Sequence, residues 1–89
     1  MTHPNPELIE SRFKEPLDLY AEAYVPTGGF LRAVLENNLL EAFKRADPGA
    51  LENLPHIVAY AYTELTGACW GDPGTVTKWL ARRPVEVGA

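Results

Sequence analysis

The stretch from Val25 to Arg32 holds the residue types that could bind an anion. Gly28 and Gly29 stand where the longest helix-periodic segment begins, and Thr27 before them could cap that helix. Glycines leave the first backbone N–H groups of a helix uncovered, and such groups attract phosphate or carboxylate. Arg32 lies one turn further along and could reach back with a charged guanidinium fork. The simpler alternative is a sharp turn in which the glycines allow close packing.

Polar residues on neighbouring predicted helices could complete such a site. A tyrosine joins an apolar ring to a polar tip and could stack on a base, although a partly buried core edge is the commoner explanation for all four tyrosines. Asn38 falls on or beside the apolar stripe of its helix, where its amide could meet a ligand, a second subunit or only water. The candidate ligand-binding residues are Tyr24, Thr27, Gly28, Gly29, Arg32, Asn38 and Tyr60.

The sequence contains no convincing catalytic or metal-binding set. Cys69 next to Trp70 in a turn predicts that the Trp70 ring packs into the core, with Gly71 supplying an unusual backbone angle. The alternative, a reactive thiol with His56 as its base, lacks a third residue to orient the base. One cysteine and two histidines at unrelated spacings make no zinc signature, and no carboxylate pair combines with a histidine. We therefore expect a protein that is not an enzyme and needs neither metal nor cofactor.

Length and charge restrict the function further. Eighty-nine residues suit one domain, residues 1–89, with a flexible arm over 1–5 and a frayed tail over 84–89. So short a chain buries a small share of its surface, which favours a homo-oligomer. The net charge of −4 argues against a protein that grips nucleic-acid phosphates. No apolar run approaches a membrane span and the first residues do not resemble a signal peptide, so we expect a cytoplasmic protein.

Prolines, asparagines and glycines divide the chain into four to five short helices, which predicts a compact all-α bundle. The central helix has the clearest apolar stripe, made of residues that recur at intervals of three and four: Phe30, Leu31, Val34, Leu35, Asn38, Leu39, Ala42, Phe43 and Ala46. The first predicted helix runs from Pro6 to Phe13 with Asn5 as its cap, and the second runs from Leu17 to Tyr24, between a break at Pro16 and the Val25-Pro26 pair. The central helix runs from Thr27 to Ala46. The fourth starts at Asn53-Leu54-Pro55 and ends at Thr66-Gly67, and the last starts at Asp72-Pro73 and is stopped by Pro84.

The last helix could also belong to a helix-turn-helix. In the stretch from Gly71 to Arg83, Thr75, Thr77 and Lys78 would face outward while Val76 and Trp79 face the core. The preceding helix is predicted to end near Leu65, so the linker is longer than the three or four residues of that motif. The acidic balance of the chain also counts against DNA binding.

Several segments together resemble small proteins encoded by tailed bacteriophages and prophages. The shared stretches are PTGGFLRAVLENNL from Pro26 to Leu39, AFKRAD ending at Asp47, LPHIVAY ending at Tyr60, and Cys69-Trp70-Gly71. The resemblance covers roughly residues 17–80. It implies a setting, the bacterial cytoplasm during infection, and no particular activity. Small phage proteins of this size are often non-catalytic; some bind a host protein and block it, and some sequester nucleotide signals used in antiviral defence.

From this sequence we expect a non-catalytic phage accessory protein that binds a small anionic, nucleotide-like ligand, with counter-defence by sequestration as the role of that binding. The alternatives are an inhibitor or adaptor that docks an exposed helix face on a host protein, or a DNA-binding regulator that uses the last helix. The anion hypothesis requires that the Thr27 to Gly29 backbone is open and that Arg32 is not already paired.

Overall fold

A computed structural model describes residues 3–83, and within that range every regular element is helical. The prediction of an all-α bundle of short helices is confirmed. The first two residues and residues 84–89, which include the predicted frayed tail, lie outside the described range. The elements are a 3-10 turn at Pro6–Leu8, α1 at Ser11–Ala23, α2 at Gly29–Leu35, α3 at Leu39–Arg45, α4 at Pro48–Glu64, a second 3-10 turn at Gly67–Cys69, and α5 at Pro73–Leu80.

The core forms where α1, α2, α4 and α5 turn their apolar faces toward one another. Leu17, Ile57 and Val76 are fully enclosed. Two buried hydrogen bonds join the elements around them, because the Tyr20 hydroxyl donates to the Cys69 carbonyl at 2.7 Å and Trp79 Nε1 donates to the Tyr20 carbonyl at 2.8 Å. Among the described residues, every buried side-chain polar atom has a partner. The bundle is therefore held by an apolar centre and by polar links that fix its register.

The predicted helix from Pro6 to Phe13 is interrupted at Ile9 and Glu10, between a 3-10 turn and the start of α1. Asn5 does cap the first turn, since its side chain accepts from the Glu7 N–H at 2.9 Å. The chain then becomes extended before α1 begins at Ser11. The reason lies on α4, where the buried Asn53 amide donates to the Leu8 carbonyl at 3.0 Å and accepts from the Glu10 N–H at 3.0 Å. These backbone groups therefore bond to a side chain rather than to a helix.

Pro16 does not interrupt the first long helix, contrary to prediction, and α1 runs through it to Ala23. A proline at this point removes one backbone hydrogen bond. The burial of apolar side chains on both sides of it, from Phe13 to Tyr20, outweighs that loss. The helix ends at Tyr24, whose φ of 58° lies in the left-handed region, so it stops just before the Val25-Pro26 pair.

The single central helix predicted from Thr27 to Ala46 is two helices, α2 and α3. Asn37 has a φ of 59°, and the N–H groups of Asn37 and Asn38 bond back to the Val34 and Ala33 carbonyls at 3.0 and 2.8 Å. This pair of bonds is the Schellman ending of a helix. The Asn38 side chain then accepts from the Glu41 N–H and caps α3. Two adjacent asparagines can thus end one helix and start the next.

The left-handed conformation of Asn37 gives a testable prediction. Asn37→Ala is expected to lower the free energy of unfolding by about 1 kcal/mol, because a Cβ is disfavoured at this φ. Asn37→Gly is expected to leave it within about 0.5 kcal/mol of the wild-type value or raise it, since glycine adopts the conformation freely. Urea unfolding of both variants measures the difference. Equal stability of the two variants would contradict the proposed helix break.

The fourth predicted helix starts earlier than its Asn53-Leu54-Pro55 signal. Asp47 caps α4 by accepting from the Ala50 N–H at 2.7 Å, and Pro48 follows at the first helical position. Arg12 and the Ala50 N–H hold the pKa of Asp47 below its ordinary value. Asn53 lies inside α4, so its predicted role as a cap is wrong.

The start of the last helix agrees with prediction, and α5 ends at Leu80, before the predicted stop at Pro84. The Asp72 side chain accepts from the Thr75 N–H at 2.7 Å, Pro73 begins α5, and Val76 and Trp79 are buried. Residues 65–72 separate α4 from α5, which is longer than the turn of a helix-turn-helix. The expected unusual angle at Gly71 is confirmed by its φ of 130°.

Candidate functional site

Three of the predicted ligand-binding residues line one depression between α2 and α3. Gly29, Arg32 and Asn38 meet there around a space of about 380 Å³. The other residues of this depression are Ala33, Glu36, Glu41 and Arg45. The break between the two helices creates the depression, because it folds α3 back against α2.

Both guanidinium groups in this depression are paired with carboxylates. Arg32 Nε lies 3.0 Å from Glu36 Oε2, and Arg45 Nε lies 2.8 Å from Glu41 Oε2. The hydrogen bond from Arg45 also lowers the pKa of Glu41. An incoming anion would have to compete with these carboxylates, each held one helical turn from its partner.

The backbone before α2 is only partly open. Thr27 is not the predicted cap, because its hydroxyl donates to the Gly28 carbonyl and Gly28 occupies the capping position without a side-chain bond. No atom lies within 4 Å of where a Cβ at Gly28 would stand. A Cβ at Gly29, by contrast, would lie 2.7 Å from Arg45 Nη1. The N-terminus of α2 is thus uncapped but partly covered by Arg45.

The two tyrosines predicted to stack on a ligand line no part of this depression. Tyr24 packs against Trp79 with ring centroids 5.0 Å apart. The Tyr60 hydroxyl donates to Asp18, and Lys14 Nζ lies 5.7 Å from the centre of its ring. Burial and the bond to Asp18 raise the pKa of Tyr60 to about 12. Each tyrosine has its own intramolecular partners.

A groove that the sequence reasoning missed runs between α4 on one side and α2 with α3 on the other. Two cavities, of about 150 and 60 Å³, lie along it and share Val34, Asn37 and Val58 in their walls. The shared walls make the two cavities one continuous feature, called here the α3–α4 groove. Its lining residues are Val34, Leu35, Asn37, Asn38, Leu39, Ala42, Leu54, Val58, Ala61, Tyr62 and Trp70.

Large apolar side chains are exposed along the α3–α4 groove and on the neighbouring side of α3. On α3, Leu39, Leu40 and Phe43 are 67%, 82% and 63% exposed, and on α4, Val58 and Tyr62 are 49% and 73% exposed. The prediction that Leu39 and Phe43 face the core is therefore wrong. The left-handed Asn37 after the end of α2 redirects the chain, so that Ala42 is the buried residue of α3. The Asn37-Asn38 pair was the sequence signal for this change.

Cys69 lies in the core, and His56 forms a hydrogen bond with the N-terminal segment. Cys69 is fully buried and burial raises the pKa of its thiol. His56 Nδ1 accepts from the Asn5 N–H at 3.1 Å and helps to hold the N-terminal segment on α4. Trp70 is half-buried against the core edge, where its indole N–H donates to the Leu65 carbonyl at 3.3 Å.

Two further findings concern residues 3–83 only. No helix there is long and apolar enough to cross a membrane. No cluster of three histidine, cysteine or acidic side chains in that range is arranged to hold a metal ion.

A comparison of the chain with protein-family models, with curated proteins and with solved structures found no match.

Proposed function

We propose that this protein is a non-catalytic binding protein that holds the apolar face of a helix from a protein partner in the α3–α4 groove. The observation that supports this most is the apolar lining of the groove together with five exposed large apolar side chains, of which three are in its walls and two are on α3 beside it. A soluble monomer rarely exposes a contiguous apolar patch of more than a few hundred Å², and larger patches mark interaction surfaces.

The composition of the α3–α4 groove favours a protein partner over a charged small molecule. Within the described range, none of its lining residues carries a charge. Depletion of charge at the centre with aromatic residues at the edge, here Tyr62 and Trp70, is typical of the core of a protein interface. A groove bordered by helices fits an amphipathic helix, which presents anchors at positions i, i+3, i+4 and i+7.

The resemblance to phage proteins suggests what such a partner would be. In that setting the protein would act as an inhibitor or adaptor on a host protein in the bacterial cytoplasm. The groove would cover a helix that the host protein needs for another contact, so binding alone would block it.

The proposal is tested with a stapled amphipathic helix carrying leucines at positions i, i+3, i+4 and i+7 and a fluorescent label. We expect saturable binding in an anisotropy titration, and weaker binding of a helix with the same composition but scattered leucines. Val58→Arg should weaken the affinity at least about tenfold, which is about 1.4 kcal/mol, because it places a charge in the groove.

Leu19→Arg is the matched control for this titration. Leu19 is 52% exposed on α1 and lines no part of the groove, so this variant should bind like the wild type. Circular dichroism checks that both variants are folded. Absence of binding, or equal loss in both arginine variants, would rule out the groove as the binding surface.

A second candidate is the anionic, nucleotide-like ligand, with counter-defence by sequestration as its role. Its support is that the depression between α2 and α3 gathers Gly29, Arg32 and Asn38 with a second arginine, Arg45. We rank it below the groove because Glu36 and Glu41 neutralise both guanidinium groups. Calorimetry with a panel of linear and cyclic nucleotides tests it. Heat that disappears in Arg45→Ala would favour this candidate, and flat traces would remove it.

A further inference from the structure

We propose that the helix which fills the α3–α4 groove is α3 of a second copy of this chain, so that the protein forms a two-fold symmetric dimer. This inference rests on the proposed binding role of the groove and names its occupant in the free protein, so α3 of the second copy and a host helix would compete for the same groove. In such a dimer each copy contributes both a groove and the helix that enters the groove of its partner.

The surface has the two complementary parts that a two-fold interface requires. Leu40 and Phe43 are three residues apart, project from the same side of α3 and line no part of the groove. The groove next to them has apolar walls from Val34, Val58 and Tyr62. An isologous interface pairs one patch with itself, so a projection and a recess must lie side by side on the same molecule. The arrangement of α3 beside the groove satisfies that condition.

The exposed apolar area is large enough for a specific dimer. An aromatic side chain buries 150–250 Å² when it is covered, so the exposed parts of Leu39, Leu40, Phe43, Val58 and Tyr62 offer on the order of 500 Å² per copy. Two copies together would remove on the order of 1,000 Å² from water, which is about the lower limit for a biological interface. An interface of this size is typical of a weak, reversible association.

The surfaces that would meet at the centre of the interface carry no charge. None of the described residues that line the groove is charged, and Leu40 and Phe43 on the projecting side of α3 are apolar. Two chains that each carry a net charge of −4 would therefore bring no like charges into direct contact there.

The test measures molar mass by light scattering across a dilution series of the full chain. We expect the wild type to change from dimer to monomer on dilution. Leu40→Lys, on the projecting side, and Val58→Glu, in the groove, should each raise the dimer dissociation constant at least about tenfold, or about 1.4 kcal/mol. Leu19→Arg should keep the wild-type value, because Leu19 lies on α1 outside the interface.

Mixing the two weakened variants gives the decisive result. A Leu40→Lys chain keeps an intact groove and a Val58→Glu chain keeps an intact α3, so a mixed dimer has one native contact and one lysine–glutamate contact. We expect the mixture to dimerise at concentrations where each variant alone is monomeric. Failure of the mixture to associate would overturn the proposal, as would a dimer that neither substitution weakens.

The outcome for self-association can be separated from the outcome for the groove itself. The stapled leucine helix is titrated into Leu40→Lys, whose groove is intact and free. A wild type that stays monomeric at about millimolar concentration, together with peptide binding, overturns the dimer and leaves the groove as a site for another protein. A monomeric wild type without peptide binding overturns both proposals.

Discussion

Trp79→Ala is expected to lower the free energy of unfolding by about 3–5 kcal/mol, the range for removing a buried large aromatic side chain. Trp79 is 6% exposed, and its ring packs against Tyr20 and Tyr24 with centroids 6.5 and 5.0 Å away. The substitution also removes the donor to the Tyr20 carbonyl, and so leaves a buried acceptor without its partner. Urea unfolding followed by circular dichroism measures the loss.

Trp79→Phe separates the two contributions at this position. It keeps most of the ring packing but removes the indole N–H, so a smaller loss of about 1–3 kcal/mol is expected. If Trp79→Ala costs less than about 1 kcal/mol, the packing of α5 against α1 is not the principal support of the core. The difference between the two variants gives the share that is due to ring volume.

Asn53→Ala is expected to cost about 3 kcal/mol, because it removes the partners of two backbone groups at once. The Asn53 amide serves the Leu8 carbonyl and the Glu10 N–H, each at 3.0 Å, and Asn53 is 5% exposed. The segment before α1 should then loosen from α4. Urea unfolding measures the cost, and faster amide exchange at Glu10 should accompany it.

Asn53→Asp is the matched variant for these two hydrogen bonds. Its carboxylate can accept from the Glu10 N–H but cannot donate to the Leu8 carbonyl. Its stability relative to the wild type should recover as the pH falls toward about 4, where protonation restores a donor. If Asn53→Ala lowers the free energy of unfolding by less than about 1 kcal/mol, the N-terminal segment is held by His56 and apolar contacts instead.

Local signals in the sequence were enough to predict the fold class and the start of the last helix correctly. Asp72-Pro73 combines a cap with a proline at the first helical position, and both act within one turn, so α5 begins where predicted. Gly71 was correctly expected to have an unusual angle for the same reason. These features depend on the residues next to them in the chain and on little else.

The features that were not predicted depend on partners far along the chain. Asn53 was interpreted as a cap because asparagine is common at that position, whereas its partners Leu8 and Glu10 are more than 40 residues away. The central helix was predicted as one element because the apolar spacing continues across Asn37-Asn38. Spacing alone does not show that the Asn37 backbone is left-handed, so Leu39 and Phe43 were assigned to the core.

The candidate site was predicted in part. Gly29, Arg32 and Asn38 do meet, since the break between α2 and α3 brings the beginning of both helices to one depression. Tyr24 and Tyr60 lie on α1 and α4 and bond or pack within their own surroundings. The α3–α4 groove could not be foreseen, because exposure of an apolar side chain is set by tertiary packing and leaves no mark in local spacing.

The most direct test of the α3–α4 groove as a protein-binding surface is a map of backbone amide shifts. The stapled leucine helix is titrated into ¹⁵N-labelled Leu40→Lys protein while its amide spectrum is recorded. The structure predicts that the largest shifts fall in residues 34–43 and 54–62 and at the Trp70 indole, while α1 and α5 stay unchanged. Shifts centred on α1 or α5, or no shifts at saturating peptide, would contradict it.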